Sequence, residues 1–260
     1  MADHRLHLNL IDSSRRFFEL DSGAAIEAEP GWLFGAGSAL HPVISNAAFR
    51  RDDGVEAAEL IARASEFFMA RGRGFSVWAR AGQPEDRDLE AAAEAAGFRA
   101  VFEMPEMVLR SGNLDPEPTP AGAELRKLSD ESEAPGFWAV AKDAYATNDF
   151  PPEVFAGYTD HAGLLAENVA AFIAYVDGEP ASIAMTIVSD EVAGIYWVGS
   201  RERARGLGLG RAVTVAATNA GLELGAEIAS LQASPMGKPI YAKLGYETVY
   251  DYRLLMSPRS

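Results

Sequence analysis

Three glycines alternate with leucines between two arginines in Arg205-Gly206-Leu207-Gly208-Leu209-Gly210-Arg211. A glycine run that opens a helix lets successive backbone N–H groups approach a phosphate, and the helix N-terminus adds partial positive charge. Arg201, Arg203, Arg205 and Arg211 cluster here in a chain of 23 basic and 38 acidic side chains, net charge -15. The spacing fails the dinucleotide pattern G-x-G-x-x-G, whose third glycine would fall on Arg211 or Val213. It also fails the Walker A pattern, because no Gly-Lys-Ser or Gly-Lys-Thr follows. What remains is a metal-free site for a pyrophosphate.

The surrounding pattern must hold that loop in place. Residues 168–176, 182–189 and 192–199 are rich in β-branched and aromatic side chains, and Asp177-Gly178 suits a hairpin turn, so they read as an antiparallel meander. A helix runs from the glycine loop to Gly225, and a strand follows over 227–234. A short helix, 238–244, then leads through Gly245 to a last strand, 246–256. Upstream, 136–147 and 151–165 read as two helices, the second opened by Pro151 and Pro152. Ser111–Gly122, with three prolines, is the clearest linker and separates residues 1–115 from 116–260.

Arg205–Gly210 matches R-x-x-G-x-G, and its flanks, the strand ending in Trp197-Val198-Gly199 and the later Ile240-Tyr241-Ala242-Lys243-Leu244-Gly245-Tyr246, match too. Together these resemble the GNAT superfamily of acyl-CoA-dependent N-acyltransferases over residues 122–257. The resemblance implies an α+β fold with a central, mostly antiparallel sheet flanked by helices. It implies acetyl-CoA as co-substrate and a small-molecule or peptide amine as acceptor. The backbone of Trp197, Val198 and Gly199 would pair with the pantetheine arm like an added strand. Amides of Arg205, Gly206, Leu207, Gly208, Leu209, Gly210 and Arg211, with the Arg203 side chain, would hold the pyrophosphate. Tyr241 would be the general acid that protonates the departing thiolate, a phenol of ordinary pKa near 10 being protonated at pH 7. Ser234 stands where relatives often have asparagine and Gly237 where alanine is frequent, so contacts to the coenzyme tail depart from the pattern. No base is singled out among Asp149, Asp160, His161 and Glu191.

Residues 1–115 read as a worn copy of the same unit. Aligning residues 92–104 on 240–252 superimposes Gly97 on Gly245 and Glu103 on Asp251 without gaps. Ala93 then replaces Tyr241, and aligning the preceding helices by their terminal glycines, Gly72 and Gly225, puts Asp52 in place of Arg205 and Val55 and Ala57 in place of Gly208 and Gly210. Each change removes a function, so the expectation is a tandem protein with a degenerate N-terminal GNAT-like half that binds no coenzyme there. Arg71–Gly74, a second glycine-arginine run, follows a helix and precedes a strand, and reads as a turn.

The acidic balance argues against sequence-independent binding to nucleic acid or anionic lipid. The chain has no cysteine, which excludes thiolate chemistry and fits a reducing compartment, with the cytoplasm as the default. There is no signal-peptide core or membrane span. His4, His7, His41 and His161 are scattered, the first two at what reads as a frayed terminus, so no metal is expected. Two classes of function survive: an N-acyltransferase, and a non-catalytic acyl-CoA sensor that keeps the pocket.

Overall fold

The computed structural model describes residues 3–110, 112–146 and 151–258. In chain order the first half comprises α1 (His4–Leu20), β1 (Ala25–Glu29), β2 (Trp32–Ala36), β3 (Asn46–Arg50), α2 (Ala57–Met69), β4 (Ser76–Arg80), α3 (Arg87–Ala95) and β5 (Arg99–Leu109). The second comprises β6 (Ala123–Lys127), α4 (Ala134–Tyr145), β7 (Val169–Val176), β8 (Glu179–Ser189), β9 (Val192–Ser200), α5 (Leu209–Glu223), β10 (Ile228–Gln232), α6 (Lys238–Lys243) and β11 (Glu247–Met256). All eleven strands join one sheet in the order β1-β2-β3-β4-β11-β5-β10-β9-β8-β7-β6. The pairs β3/β4 and β9/β10 are parallel and the rest antiparallel.

This order interlocks the halves. The last strand of the chain, β11, lies between β4 and β5, while β5 of the first half lies between β11 and β10. Each half therefore lends the strand that completes the other. The β5/β11 register mirrors itself about Tyr252↔Met104: Glu247↔Val108 at one end answers Met256↔Arg99 at the other, and the bulges skip Val249 and Val101 symmetrically. The internal repeat expected from sequence is thus visible as a pseudo-two-fold arrangement of strands.

One face of the sheet is covered by α1 and α4, whose Leu6, Leu10, Ile11, Phe137, Val140 and Ala141 pack on Ile183, Met185, Val192 and Tyr252. The other face is covered by α5 and α6 over the second half and by α2 and α3 over the first. Asp177 and Gly178 take the paired left-handed conformation of the expected hairpin turn. Gly72 (φ +62°) ends the turn after α2, as the reading of 71–74 requires.

Two expectations need correction. The N-terminus is not frayed: α1 is a helix of 17 residues, capped by the Asp3 side chain accepting from Arg5 N–H. It bridges both halves through buried polar groups. Asn9 donates to the carbonyls of Ile187 and Val192 and accepts from the Tyr196 hydroxyl at 2.9 Å. His7 donates through Nε2 to the Arg50 carbonyl at 2.7 Å, which leaves Nδ1 to accept from the Tyr252 hydroxyl. Secondly, 151–165 is not one helix but two short 3₁₀ turns, Pro152–Phe155 and Ala162–Leu165. Between them Tyr158 bridges to Asp21, and Gly157 lies so close to the Asp21 carboxylate that a side chain there would collide. Tertiary pairing overrides the local helix pattern.

The exchange predicts that fragments 1–115 and 116–260, produced separately, each fail to give a cooperative unfolding transition, whereas co-expression yields a complex that co-purifies. Two independently folded fragments would contradict it. A second expectation concerns His7, whose titration burial pushes down to about 3. It stays neutral in the fold but takes a proton near 6.5 when unfolded. Its contribution is complete above pH 6.5 and is lost as pH falls toward 3. The urea midpoint should therefore drop between pH 6.5 and 4, and less so in His7→Gln.

Candidate active site

Strands β9 and β10 run parallel only as far as Gly194 and Ser230. Beyond that pair β9 continues to Ser200 without a partner on its β10 side, so its backbone edge from Ile195 onward is open. Trp197 adopts φ +51° where the β8 register shifts, so a bulge turns β9 away from β10. The Tyr145 hydroxyl donates to the Val198 carbonyl, and Gly199 lies against Ala144 of α4, too close for a side chain. These contacts hold the two strands apart in a V.

The glycine loop sits at the mouth of this cleft. Gly206 (φ +77°) and Gly208 (φ +82°) have left-handed backbones, and a Cβ added to either would meet nothing within 4 Å. Glycine is thus required by conformation, and the space above the backbone is open. The amide of Arg205 bonds to Glu202 O, and those of Arg211 and Ala212 bond to Gly208 O. Among the described residues the amides from Gly206 to Gly210 take no backbone carbonyl. Five consecutive N–H groups at the start of a 15-residue helix form an anion-binding concavity.

The other expected residues fall around it with different degrees of freedom. Arg203 is exposed and Arg205 half-buried in the loop. Arg211 pairs with Glu117 of the linker at 2.7 Å, and Arg201 with Asp143 of α4 at 2.9 Å, so neither is a free cation. Leu207 is exposed and Leu209 buried. The Ser234 hydroxyl accepts from Gly237 N–H at 3.1 Å and so shapes the turn into α6. Gly237 lies under the Tyr241 ring, where a side chain would collide with it. Tyr241 is buried, and burial pushes its phenol well above the ordinary value, which keeps its proton on through neutral pH.

The candidate bases do not converge on the cleft. Glu191 sits in the β8–β9 turn, at the opposite end of β9, paired with Arg5 at 2.7 Å. Asp160 is exposed and caps Ala162 N–H, His161 precedes a 3₁₀ turn, and Asp149 lies outside the described residues. Sequence reasoning missed Glu106 on β5, which is fully buried beside Gln232. An acid inside the apolar run Met104–Leu109 was the available signal. Among the described residues no group of three His, Cys, Asp or Glu is placed to hold a metal, and no helix is long and apolar enough to cross a membrane.

Residues 120–233 match the family model for a GNAT acetyltransferase domain. The chain is 29% identical over 242 residues to the mycothiol acetyltransferase of Sanguibacter keddieii, covering 87% of this chain and 72% of that protein. Its fold is similar to a GCN5-related N-acetyltransferase from Kribbella flavida (TM-score 0.73, 21% identity, 99% of this chain and 96% of that one). It is also similar to a tandem GNAT protein from the clavulanic acid biosynthesis pathway (TM-score 0.61, 13% identity, 96% and 95% covered).

The mirror in the sheet also locates the equivalent place in the first half. Ser76 answers Ser230, and Ala47 answers Gly194. There the strands do not part: Val77 and Trp78 go on pairing with Ala48 and Phe49. The Phe49 and Trp78 rings lie 5.5 Å apart. Past them, Arg50 and Arg80 are buried in two-pronged pairs with Asp88 and Asp86. The Asp52 carboxylate takes the Gly54 amide at 2.8 Å, where the glycine loop of the second half leaves its amides from Gly206 to Gly210 without a carbonyl.

Proposed function

We propose that the chain transfers an acetyl group from acetyl-CoA to a primary amine, using the cleft between β9 and β10. The observation that carries this reading is the run of five unengaged amides, Gly206–Gly210, at the mouth of an open strand edge. Anion binding and strand-like pairing are the two interactions that a pyrophosphate with a pantetheine amide arm requires. The bound thioester would supply an activated acetyl carbon. The chain's own task is then to orient the attacking amine and to protonate the leaving sulfur. Tyr241, neutral and buried, is the proton donor in this reading. The negative chain attracts cationic acceptors, and the Sanguibacter keddieii relative makes deacetylated mycothiol the first acceptor to try, followed by spermidine and kanamycin.

The first half in this account, residues 1–115, is a degenerate GNAT-like partner to 116–260. Its zipped strands and occupied loop leave no room for a coenzyme. A sensor without turnover is favoured by one feature, the packing of Phe17, Tyr145 and Phe155 around Trp197 on the face opposite α5.

Calorimetric titration of acetyl-CoA should show one site per chain, abolished in Gly208→Glu, where a carboxylate meets the pyrophosphate. Absence of binding to the wild type would refute the cleft assignment. With coenzyme bound, Tyr241→Phe should lower kcat by about a hundredfold, within the usual range for loss of a general acid. An unchanged kcat would remove Tyr241 from the mechanism, and saturable binding with no transfer to any of the three amines would favour the sensor.

A further inference from the structure

On the face of the sheet under α1 and α4, one row of side chains crosses from the first half into the cleft. Tyr250 of β11 pairs with Glu106 of β5, and Glu106 with Gln232 of β10. Gln232 lies two residues past Ser230, the last residue of β10 to pair with β9, so it borders the open cleft. Across the gap Tyr196 of β9 continues the row, its hydroxyl held by Asn9. Glu106 is fully buried, and Gln232 is half-buried. Gln232 Nε2 donates to Glu106 Oε2 at 2.6 Å. Oε1 of Glu106 is buried, and the Ser230 hydroxyl of β10 is the other polar group that faces the carboxyl.

A buried carboxyl with no cation beside it and a single N–H donor is costly to ionise. Two further acids are buried among the described residues, and both are better satisfied: Arg80 clamps Asp86, and Asp21 accepts from the amides of Gly23 and Ser38 and from the Ser38 hydroxyl. The single N–H donor that Glu106 receives comes from the cleft side, where an ammonium could take its place.

We propose that Glu106, lent by the first half, is the base that deprotonates the acceptor amine in the cleft of the second. This inference rests on the N-acetyltransferase reading. The incoming ammonium would replace the Gln232 amide as donor to Oε2. One N–H bond of the ammonium breaks and an O–H bond forms on Glu106. The freed nitrogen lone pair attacks the thioester carbon, the C–S bond breaks, and the thiolate takes the Tyr241 proton. The second proton lost by nitrogen restores the Tyr241 phenol, and Glu106 returns its own to water. Catalysis is then composite: neither half holds both proton-transfer groups.

Burial raises the Glu106 carboxyl to about 8, with Gln232 and Ser230 from β10 opposing the rise. The other ionisable groups facing it are phenols, Tyr250 and Tyr252 from β11 and Tyr196 from β9. The base form therefore grows as pH rises through about 8.

The test is the pH dependence of kcat/KM for transfer to deacetylated mycothiol, spermidine and kanamycin, in wild type and Glu106→Gln, with acetyl-CoA affinity measured alongside. The expected result is a wild-type limb that stays near pH 8 whichever amine is used. Glu106→Gln should bind acetyl-CoA as tightly as wild type, lose about a hundredfold in kcat/KM at pH 7.5 and lose the limb. A limb that moves with the amine's own pKa, or a variant with unchanged rate and profile, overturns the role of Glu106 while leaving the transferase reading intact. Acetyl-CoA binding with no transfer to any amine overturns both. Should Glu106→Gln fail to fold, the wild-type limb across the amines decides the question alone.

Discussion

The exchange of β5 and β11 is the constraint on which the rest of the structure depends. Because β11 lies between β4 and β5, and β5 between β11 and β10, the sheet is complete only when both halves are present. The consequences run outward from that seam. It places an acidic residue of the first half one strand from the cleft of the second, and it sets α1 across both halves, where Asn9 holds the β8–β9 turn and Tyr196 at once. The N-terminal half thus backs β10, the strand that borders the cleft.

Within this near-symmetric frame the two halves differ at one structural decision: whether the parallel strands part. In the second half a bulge at Trp197, the Tyr145 hydrogen bond to Val198 and the close approach of Gly199 to Ala144 keep β9 off β10. In the first half β3 is a regular five-residue strand, the pairing runs on to Phe49 and Trp78, and two buried arginines, Arg80 paired with buried Asp86 and Arg50 with exposed Asp88, occupy the region beyond. Burying paired charges offers little net stability against an apolar packing of the same shape. What those pairs do provide is a polar plug where the other half leaves an opening.

Much of this was legible in the residues. The alternating glycines, the meander, the tyrosine-bearing helix and the ungapped match of Gly97 to Gly245 are local or periodic patterns, and local patterns survive folding. Three features were not legible, each for a physical reason. The helix α1 hid behind His7, Asn9 and Ser13, polar residues that look solvated in a sequence but are buried here. His7 and Asn9 are satisfied by carbonyls and hydroxyls that arrive from far along the chain. The segment 151–165 has helix-starting prolines, yet the bridge from Tyr158 to Asp21 breaks it. Glu106 became visible only once the strand exchange set it opposite Gln232, since no sequence pattern reports which half supplies the neighbouring strand.

In the proposed mechanism a coenzyme is held by the amides from Gly206 to Gly210, in one half alone. Its most direct test is the ¹H–¹⁵N spectrum of the full-length protein with and without saturating acetyl-CoA. The amides of Gly206 to Gly210 and of Ile195 to Gly199 should shift strongly, while those of Asp52 to Leu60 and of Ala48 to Arg50 stay in place. Shifts concentrated in the first half, or none at the glycine loop, would contradict it.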